Sequence, residues 1–365
     1  MTYIAIFIIG FFASIRKYSL ITFISYTLLL WVLASLRYGV GPDYFAYQDL
    51  YLLLSDSPVD EIVAVSTQEP LFRLVGSLMR SFSFSYELYS SVIALISLIY
   101  IAITVRKFSQ NPILSLLLYY SFFYLVWTYS GIRQGLALSI GTYYFLNCLK
   151  TNNKKFYIIV FIITLIHASS IILSLLFYCA TTGLRKSTLI GFAVVCIIIS
   201  FIPLNEYLEY FSFIPYIDRV LFYSNNFNIG SVKIFDFKSI SRLAFLIFGF
   251  YAFSILKKDE LHSRVVAAYI VSFFVYFTLK FSEVLAANLS MYGFILIIII
   301  IPNVYNKLQV NLQNLYSVLT YMVAVLFLLK NLSGMEDMAG LIHTEFITPY
   351  THIFSPNDYQ ILGPQ

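Results

Sequence analysis

Apolar runs alternate with short polar stretches along almost the whole chain. Most runs approach the ~20 residues that a helix needs to cross a bilayer, so the pattern predicts roughly eleven transmembrane helices. The runs are 3–15, 18–36, 88–105, 112–129, 131–149, 156–179, 188–203, 239–256, 263–281, 288–305 and 312–330. The sequence therefore predicts an all-α polytopic membrane protein, with residues 1–365 forming a single integral membrane domain.

Short basic clusters lie between the runs and predict the orientation of the chain. Cytoplasmic loops of membrane proteins carry an excess of Lys and Arg. The clusters are Arg16-Lys17, Arg106-Lys107, Lys150 with Lys154-Lys155, Arg185-Lys186, Lys257-Lys258 and Lys307. Two runs separate most neighbouring clusters, as this orientation requires. The larger segments predicted on the outer (periplasmic) side are the 37–87 loop, which includes amphipathic helices, the 204–238 loop and the 331–365 tail.

One interval does not fit the positive-inside rule. Only the run 156–179 lies between Lys155 and Arg185. Either this loop breaks the rule, or the run is a re-entrant segment that bends near His167. A bend at membrane depth is tolerated where it lines a wet cavity, and we favour this interpretation.

Composition and charge support a membrane protein and exclude several other classes. Hydrophobic residues make up 60% of the chain and charged residues 11%, with a mean hydropathy of +0.82; soluble domains average about 25% charged residues. The net charge of +5 resides in the short loop clusters, so we expect no nucleic-acid partner. Cys148, Cys179 and Cys196 lie in or beside apolar runs without a CxxC motif, which predicts free thiols.

The first motif with possible chemistry is RYGVGPDY at 37–44, followed by Tyr47. Glycines and a proline predict a turn directly after Arg37, and a helix from this point would place Asp43 and Tyr47 on one face. An Arg beside a carboxylate and tyrosines suits a phosphate and a sugar. The alternative is a snorkelling Arg beside a capped interfacial turn.

The second motif is QEPLFR at 68–73. Pro70 suits the first position of a helix. Glu69 and Arg73 have the i,i+4 spacing of a helical ion pair, which is one interpretation. The other makes Glu69 a general base and Arg73 a phosphate ligand.

The third motif is SGIRQG at 130–135, which places Arg133 and Gln134 in the first turn of a predicted span. An ionisable residue at this depth indicates function. Alternatively, Gly131 and Gly135 form a helix-packing face and Arg133 points outward.

The fourth candidate is His167, midway along the run 156–179. It is either a hydrogen-bonded core residue or a catalytic group. The other histidines, His262, His343 and His352, lie on different loops, and the acidic residues form no ligand cluster. We therefore expect no metal. In the second half, Asp218, Arg219, Tyr223, Arg242, Lys280 and Glu283 are either parts of an outer cavity or interfacial anchors.

Four segments together resemble the EpsG family, which belongs with the Wzy-type O-antigen and exopolysaccharide polymerases. They are RYGVGPDYFAY (37–47), EPLFRLV (69–75), SGIRQGLALSI (130–140) and KKFY…HASSI (154–171). The second half of the chain is similar in hydropathy alone. Between 281 and 302 the resemblance leads us to expect an Arg before a Tyr-rich span, and this chain has Asn288 and Tyr292 there.

The resemblance implies a GT-C-like glycosyltransferase at the outer face of the bacterial cytoplasmic (inner) membrane. Such a polymerase transfers a growing glycan from undecaprenyl diphosphate to the non-reducing end of a lipid-linked repeat unit, without a cofactor or nucleotide sugar. The product is an O-antigen lipopolysaccharide, a capsule or a secreted polymer. The expected partners are the lipid-linked oligosaccharide repeat units and the bilayer, with a chain-length regulator and a flippase as further partners.

On this basis we assign hypothetical roles to ten residues. The predicted catalytic residues are Asp43, Glu69, Arg133 and His167; the predicted substrate-binding residues are Arg37, Tyr44, Tyr47, Arg73, Gln134 and Arg219. The cations would hold diphosphates, a carboxylate or His167 would act as the base, and the tyrosines would pack on sugars.

Three other functions stay open. A flippase for lipid-linked oligosaccharides would show charged residues along its whole transit path and a repeated architecture. A ligase of the O-antigen type shares the donor chemistry and differs in its acceptor. A membrane acyltransferase would need a paired His and carboxylate.

Overall fold

The structure is a computed structural model that describes residues 1–63, 68–202, Tyr207, Tyr210 and 237–342. All regular elements in these ranges are helical. Arg219, Asp218 and Tyr223 lie outside the described residues, as do His343, His352, most of the 204–238 loop and the end of the 331–365 tail.

The described helices follow the predicted apolar runs closely. The first seven are α1 (Thr2–Ile15), α2 (Leu20–Ser35), α3 (Tyr44–Leu52), α4 (Pro58–Val63), α5 (Pro70–Ser81), α6 (Tyr86–Phe108) and α7 (Pro112–Tyr119), which continues as a π-helix (Tyr120–Thr128). The next four are α8 (Ile132–Thr151), α9 (Phe156–Thr164), α10 (Ile172–Thr181), preceded by a 3₁₀ turn (Ala168–Ile171), and α11 (Lys186–Ile199). The last five are α12 (Phe237–Leu256), α13 (Glu260–Thr278), α14 (Glu283–Phe294), α15 (Ile297–Tyr305) and α16 (Val310–Ile342).

The sequence predicts about eleven spans, but fewer described helices are long and apolar enough to cross a membrane. Four described helices do so, in the segments Tyr86–Phe108, Ser239–Leu256, Glu260–Thr278 and Val310–Gly334. A fifth span results if α14 and α15, which meet at a bend of 40°, cross as one. Five other apolar helices have 10–17 residues. One of them, Ala168–Thr181, is short because a break after Thr164 divides the run 156–179. The part of the chain that the structure describes is therefore that of an all-helical membrane protein, with four to five candidate spans.

The first of two compact units comprises Met1–Ile140, Ile163–Ala168 and Gln309–Gln365. Within it, α2 packs against α6, α1 against α7, and α16 against the π-helix. Buried tyrosines hydrogen-bond across these helices: the Tyr120 hydroxyl donates to the Tyr3 carbonyl at 2.8 Å, and the Tyr124 hydroxyl donates to the Leu30 carbonyl at 2.6 Å. A buried phenol needs such a partner, so these bonds orient the helices as well as satisfying polar groups.

The π-helix determines how α8 approaches the first unit. Its wide turns appear in the Tyr129 N–H, which donates to the Tyr124 carbonyl, and the Gly131 N–H, which donates to the Val126 carbonyl, both at 2.8 Å. A Cβ at Gly135 would lie inside the contact radius of the Trp127 carbonyl oxygen. Glycine at this position therefore lets α8 begin directly beside the π-helix.

The second compact unit comprises Gly141–Ile162 and Ser169–Leu308. Helix α13 lies at its centre. Most of its residues are buried, and it packs against α10, α11, α12 and α14. The guanidinium of Arg242 lies 4.6 Å from the centre of the Phe294 ring and 5.2 Å from that of Tyr276. Aromatic faces thus accept this cation inside the unit. The three cysteines are free thiols, and Cys148 is buried.

The close approach at Gly135 predicts a defined stability effect. Gly135→Ala should lower the free energy of unfolding by about 1–3 kcal/mol, the usual cost of overpacking. A lower thermal unfolding midpoint in detergent would show this. Gly191→Ala is the matched control, because Gly191 is exposed within α11 and a Cβ there meets nothing within 4 Å. Equal midpoints for the two variants would contradict the packing described here.

Candidate functional site

The turn between α2 and α3 brings the first motif to the third. Gly39 and Gly41 have φ values of +64° and +106°, which favour glycine. Asp43 then precedes α3, but its side chain makes no capping bond to the helix. Instead, its Oδ2 accepts a hydrogen bond of 2.8 Å from the Ser130 hydroxyl. The carboxylate therefore serves the contact with the SGIRQG motif.

Arg37 is buried beside this turn, with 3% of its surface exposed. Its guanidinium lies 4.6 Å from the centre of the Tyr129 ring and 5.4 Å from that of Tyr44. Its Nη1 donates to the Val40 carbonyl at 3.4 Å, and its Nε has no hydrogen-bond partner among the described residues. A buried guanidinium with a spare donor is suited to an anion. This burial does not fit the alternative of an Arg that snorkels into water.

Glu69 and Arg133 form the centre of the candidate site. Arg133 Nη1 lies 2.9 Å from Glu69 Oε2, and the other carboxylate oxygen accepts the Ala168 N–H at 3.0 Å. The Arg133 Nε also donates to the Tyr47 hydroxyl at 3.4 Å. The two charged side chains keep 24% and 18% of their surface exposed, so a ligand can reach the pair.

Three separate parts of the chain place these groups. Glu69 is extended immediately before α5, and the Leu71 N–H donates to the Leu165 carbonyl at 2.9 Å. Arg133 lies in the first turn of α8. Tyr47 lies on α3, where burial raises the pKa of its phenol above the ordinary value of 10.0 although the Arg133 cation opposes this shift. The phenol therefore stays protonated at neutral pH.

His167 lies in the predicted break of the run 156–179. Helix α9 ends at Thr164 and the 3₁₀ turn begins at Ala168. His167 interacts electrostatically with Glu69 and Arg133. The break confirms an interruption here, and a re-entrant path stays a prediction. Gln134 is buried beside Arg133, with 3% of its surface exposed.

Two of the predicted binding residues are engaged within the protein. The Arg73 Nε lies 2.6 Å from Glu61 Oε1, and the Arg73 Nη2 donates to the Glu61 carbonyl. Glu69 precedes the helix and pairs with Arg133. Tyr44 is 1% exposed, and its ring packs on Tyr86. The structure thus shows Glu61 as the ion-pair partner of Arg73, and Tyr44 presents no open face for a sugar.

Four contacts of the site were missed from the sequence. Ser130 is the first residue of the SGIRQG motif and Tyr129 directly precedes it, so the motif itself was a usable signal. The Ala168 N–H is a backbone group, so the identity of residue 168 does not reveal this hydrogen bond. Glu61 lies 12 residues before Arg73, across a loop, with no periodic spacing to reveal the pair. Among the described residues, no group of three His, Cys, Asp or Glu side chains is placed to hold a metal ion.

The buried Glu61–Arg73 pair predicts both a mutational effect and a pH effect. Glu61→Ala should cost about 3–5 kcal/mol, since it leaves a buried guanidinium without its counter-ion. Burial raises the pKa of Glu61, but the Ser55 N–H and Arg73 outweigh it and hold the pKa below the ordinary value of 4.5. The stabilisation should therefore be complete above pH 4.5 and be lost as the pH falls through the lowered value.

Thermal unfolding midpoints of purified protein from pH 3 to pH 7 would measure this contribution. The matched control is Glu260→Ala. The Glu260 side chain is 79% exposed and pairs with Arg264 at i,i+4 spacing. Surface pairs of this type contribute about 0.3–0.5 kcal/mol. Similar losses for both variants at neutral pH would contradict a structural role for the buried pair.

Comparison with known proteins supplies the family. No curated protein and no solved structure gave a significant match. The EpsG family matches residues 20–352, nearly the whole chain and including all four motifs of the site. The chain therefore belongs to the EpsG family.

Proposed function

We propose that this protein is a lipid-linked glycan polymerase. It would transfer a growing glycan from undecaprenyl diphosphate to the non-reducing end of a lipid-linked repeat unit, at the outer face of a bacterial cytoplasmic membrane. Membership of the EpsG family suggests a polysaccharide polymerase-type role in general. The specific reaction, the GT-C-like architecture and the count of about eleven spans belong to this proposal.

The contact between Glu69 and Arg133 carries the proposal. A partly exposed carboxylate and guanidinium lie 2.9 Å apart at the meeting point of three motifs that are distant in sequence. Glycosyl transfer from a diphosphate needs a cation at the leaving group and a base at the acceptor hydroxyl. The pair supplies both groups in one place.

The cations would stabilise the leaving diphosphate. As the bond between the anomeric carbon and the phosphate oxygen breaks, its electrons stay on the diphosphate, and negative charge grows there. Arg133 would bind that charge, with Arg37 as the second guanidinium, since a fixed cation in a partly dry site stabilises charge without reorganising. Arg73 would act indirectly, by holding α5 through Glu61.

The carboxylate would take the proton of the acceptor hydroxyl as the new glycosidic bond forms. Glu69 is the first candidate, followed by Asp43 and His167. In the structure Arg133 occupies one Glu69 oxygen. An incoming diphosphate would compete for Arg133 and release this carboxylate oxygen to face the acceptor hydroxyl. Donor binding would thus free the base. Tyr47 and Gln134 would contact the sugars or their phosphates.

Reconstitution provides the direct test of the reaction. The purified protein in liposomes is incubated with one lipid-diphosphate-linked repeat unit from its own cell, without nucleotide sugar. We expect a ladder of products spaced by one repeat, together with released undecaprenyl diphosphate. Movement of the intact lipid-linked unit across the bilayer without any ladder would instead indicate a transporter. Transfer of glycan onto a different lipid would indicate a ligase.

Variants of the central pair test the assigned roles. Arg133→Ala and Glu69→Gln should each lower the polymerisation rate by at least ~100-fold, the low end for losing a charge-stabilising group or a general base. Arg264→Ala is the matched control, because the Arg264 side chain is similarly exposed, at 21%, and forms its ion pair with Glu260 within α13. Full-length polymer from both pair variants would rule out this site.

A further inference from the structure

A cavity that is separate from the Glu69–Arg133 pair lies between α3 and the turn from α5 to α6. It has a volume of about 390 Å³, within the range of small-ligand pockets. Its lining comes from residues 48–56 and 80–87, and we call it the 48–87 pocket. We propose that it binds an uncharged glycan segment, next to the sugars that react. This inference rests on the proposed function.

The charges of the 48–87 pocket disfavour a phosphate. Arg80 is already paired, with its Nε 2.6 Å from Asp56 Oδ1, and its Nη1 donates to the carbonyls of Tyr51 and Leu52. Glu87 is a second carboxylate in the lining and accepts the Tyr44 hydroxyl at 3.5 Å. Asp56 and Arg80 neutralise each other, so Glu87 leaves the lining with a net negative charge, which repels a diphosphate. Both carboxylates accept hydrogen bonds from hydroxyl groups well.

An aromatic surface borders the same polar groups. Phe84 lines the 48–87 pocket with 42% of its surface exposed, and its ring stacks on Phe82 at a centroid distance of 5.9 Å. The C–H face of a pyranose ring suits such a surface, while its hydroxyls need planar polar partners. Gln48, Asp56 and Arg80 provide a carboxamide, a carboxylate and a guanidinium in the lining. This combination of groups matches a saccharide better than a lipid chain.

Ser83 gives a second, independent indication. Helix α5 ends in a Schellman motif, in which the Ser83 N–H donates to the Arg80 carbonyl and the Phe84 N–H to the Met79 carbonyl. Ser83 takes the left-handed position, with φ +57°, where glycine is the usual residue. A serine costs stability there, and Ser83 is one of the residues that line the pocket. A ligand that hydrogen-bonds to the Ser83 hydroxyl accounts for the serine.

Helix α3 joins the pocket to the catalytic pair. Tyr47 accepts a hydrogen bond from Arg133, and Tyr51, four residues later, lines the pocket. Four residues advance an α-helix by about 6 Å, along one face. A glycan whose terminal sugar reacts near Arg133 would therefore reach the 48–87 pocket with its following sugars.

The test measures binding of a lipid-free glycan. The probe is an uncharged oligosaccharide fragment of the cell's own surface polymer, titrated calorimetrically into the detergent-purified full chain. Ser83→Gly should weaken binding about 2- to 10-fold, as loss of one hydrogen bond does, without lowering the unfolding midpoint. Phe84→Ala should weaken binding about tenfold.

Matched controls separate binding from folding. Asn152→Gly makes the same backbone change at the other described non-glycine residue with positive φ, at φ +49°, and Phe161→Ala removes a phenylalanine that is 65% exposed on α9. Both should bind the fragment like the parent protein. Unchanged affinity in folded Ser83→Gly and Phe84→Ala would overturn the proposal, as would displacement of the fragment by inorganic pyrophosphate.

Failure of this inference is distinguishable from failure of the proposed function. Binding is repeated with Arg133→Ala, which should retain the affinity for the fragment while losing polymerisation. A parent protein that polymerises but whose pocket variants keep the same affinity and KM refutes the pocket alone. A parent protein that binds the fragment through Ser83 and Phe84 but forms no ladder supports the pocket and refutes the polymerase.

Discussion

The carboxylate of Glu69 uses both of its oxygens to join parts of the chain that are far apart in sequence. One oxygen holds Arg133 at the start of α8, and the other holds the Ala168 N–H after the break near His167. Charged groups in an apolar protein are costly unless they are paired. The pair therefore constrains where α5, α8 and the 3₁₀ turn lie, and the positions of Tyr47 and His167 follow from it.

The helices were largely predictable, and the span count was not. Each apolar run identified from the sequence coincides with described helix, because apolar side chains and a backbone that must bond internally permit little else in lipid. Hydropathy cannot distinguish an uninterrupted span from one broken by local geometry. The π-helix after Tyr119 and the break after Thr164 do not appear in a hydropathy average, although the positive-inside rule indicated a bend near His167.

The site was predictable in its members and not in its pairing. Arg37, Asp43, Glu69, Arg133 and His167 were all identified from position and charge. The i,i+4 spacing allowed Arg73 as one partner of Glu69, whereas in the structure Glu69 is extended before α5 and Arg73 contacts Glu61. The i,i+4 spacing predicts contacts between residues of one helix, and Glu69 lies one residue before α5 begins. Burial of Tyr44 was equally invisible, since it depends on Tyr86 of another helix.

The π-helix at Tyr120–Thr128 makes this protein sensitive to the length of its own chain. Each residue turns an α-helix by about 100°, and a π-helix contains more residues per turn than an α-helix does. Deleting one residue there would either convert a wide turn into an α-helical one or rotate Ser130 and Arg133 by about 100° relative to Asp43 and Glu69. A substitution scan would not reveal this dependence, because the side chains can change while the number of residues between Tyr119 and Arg133 cannot.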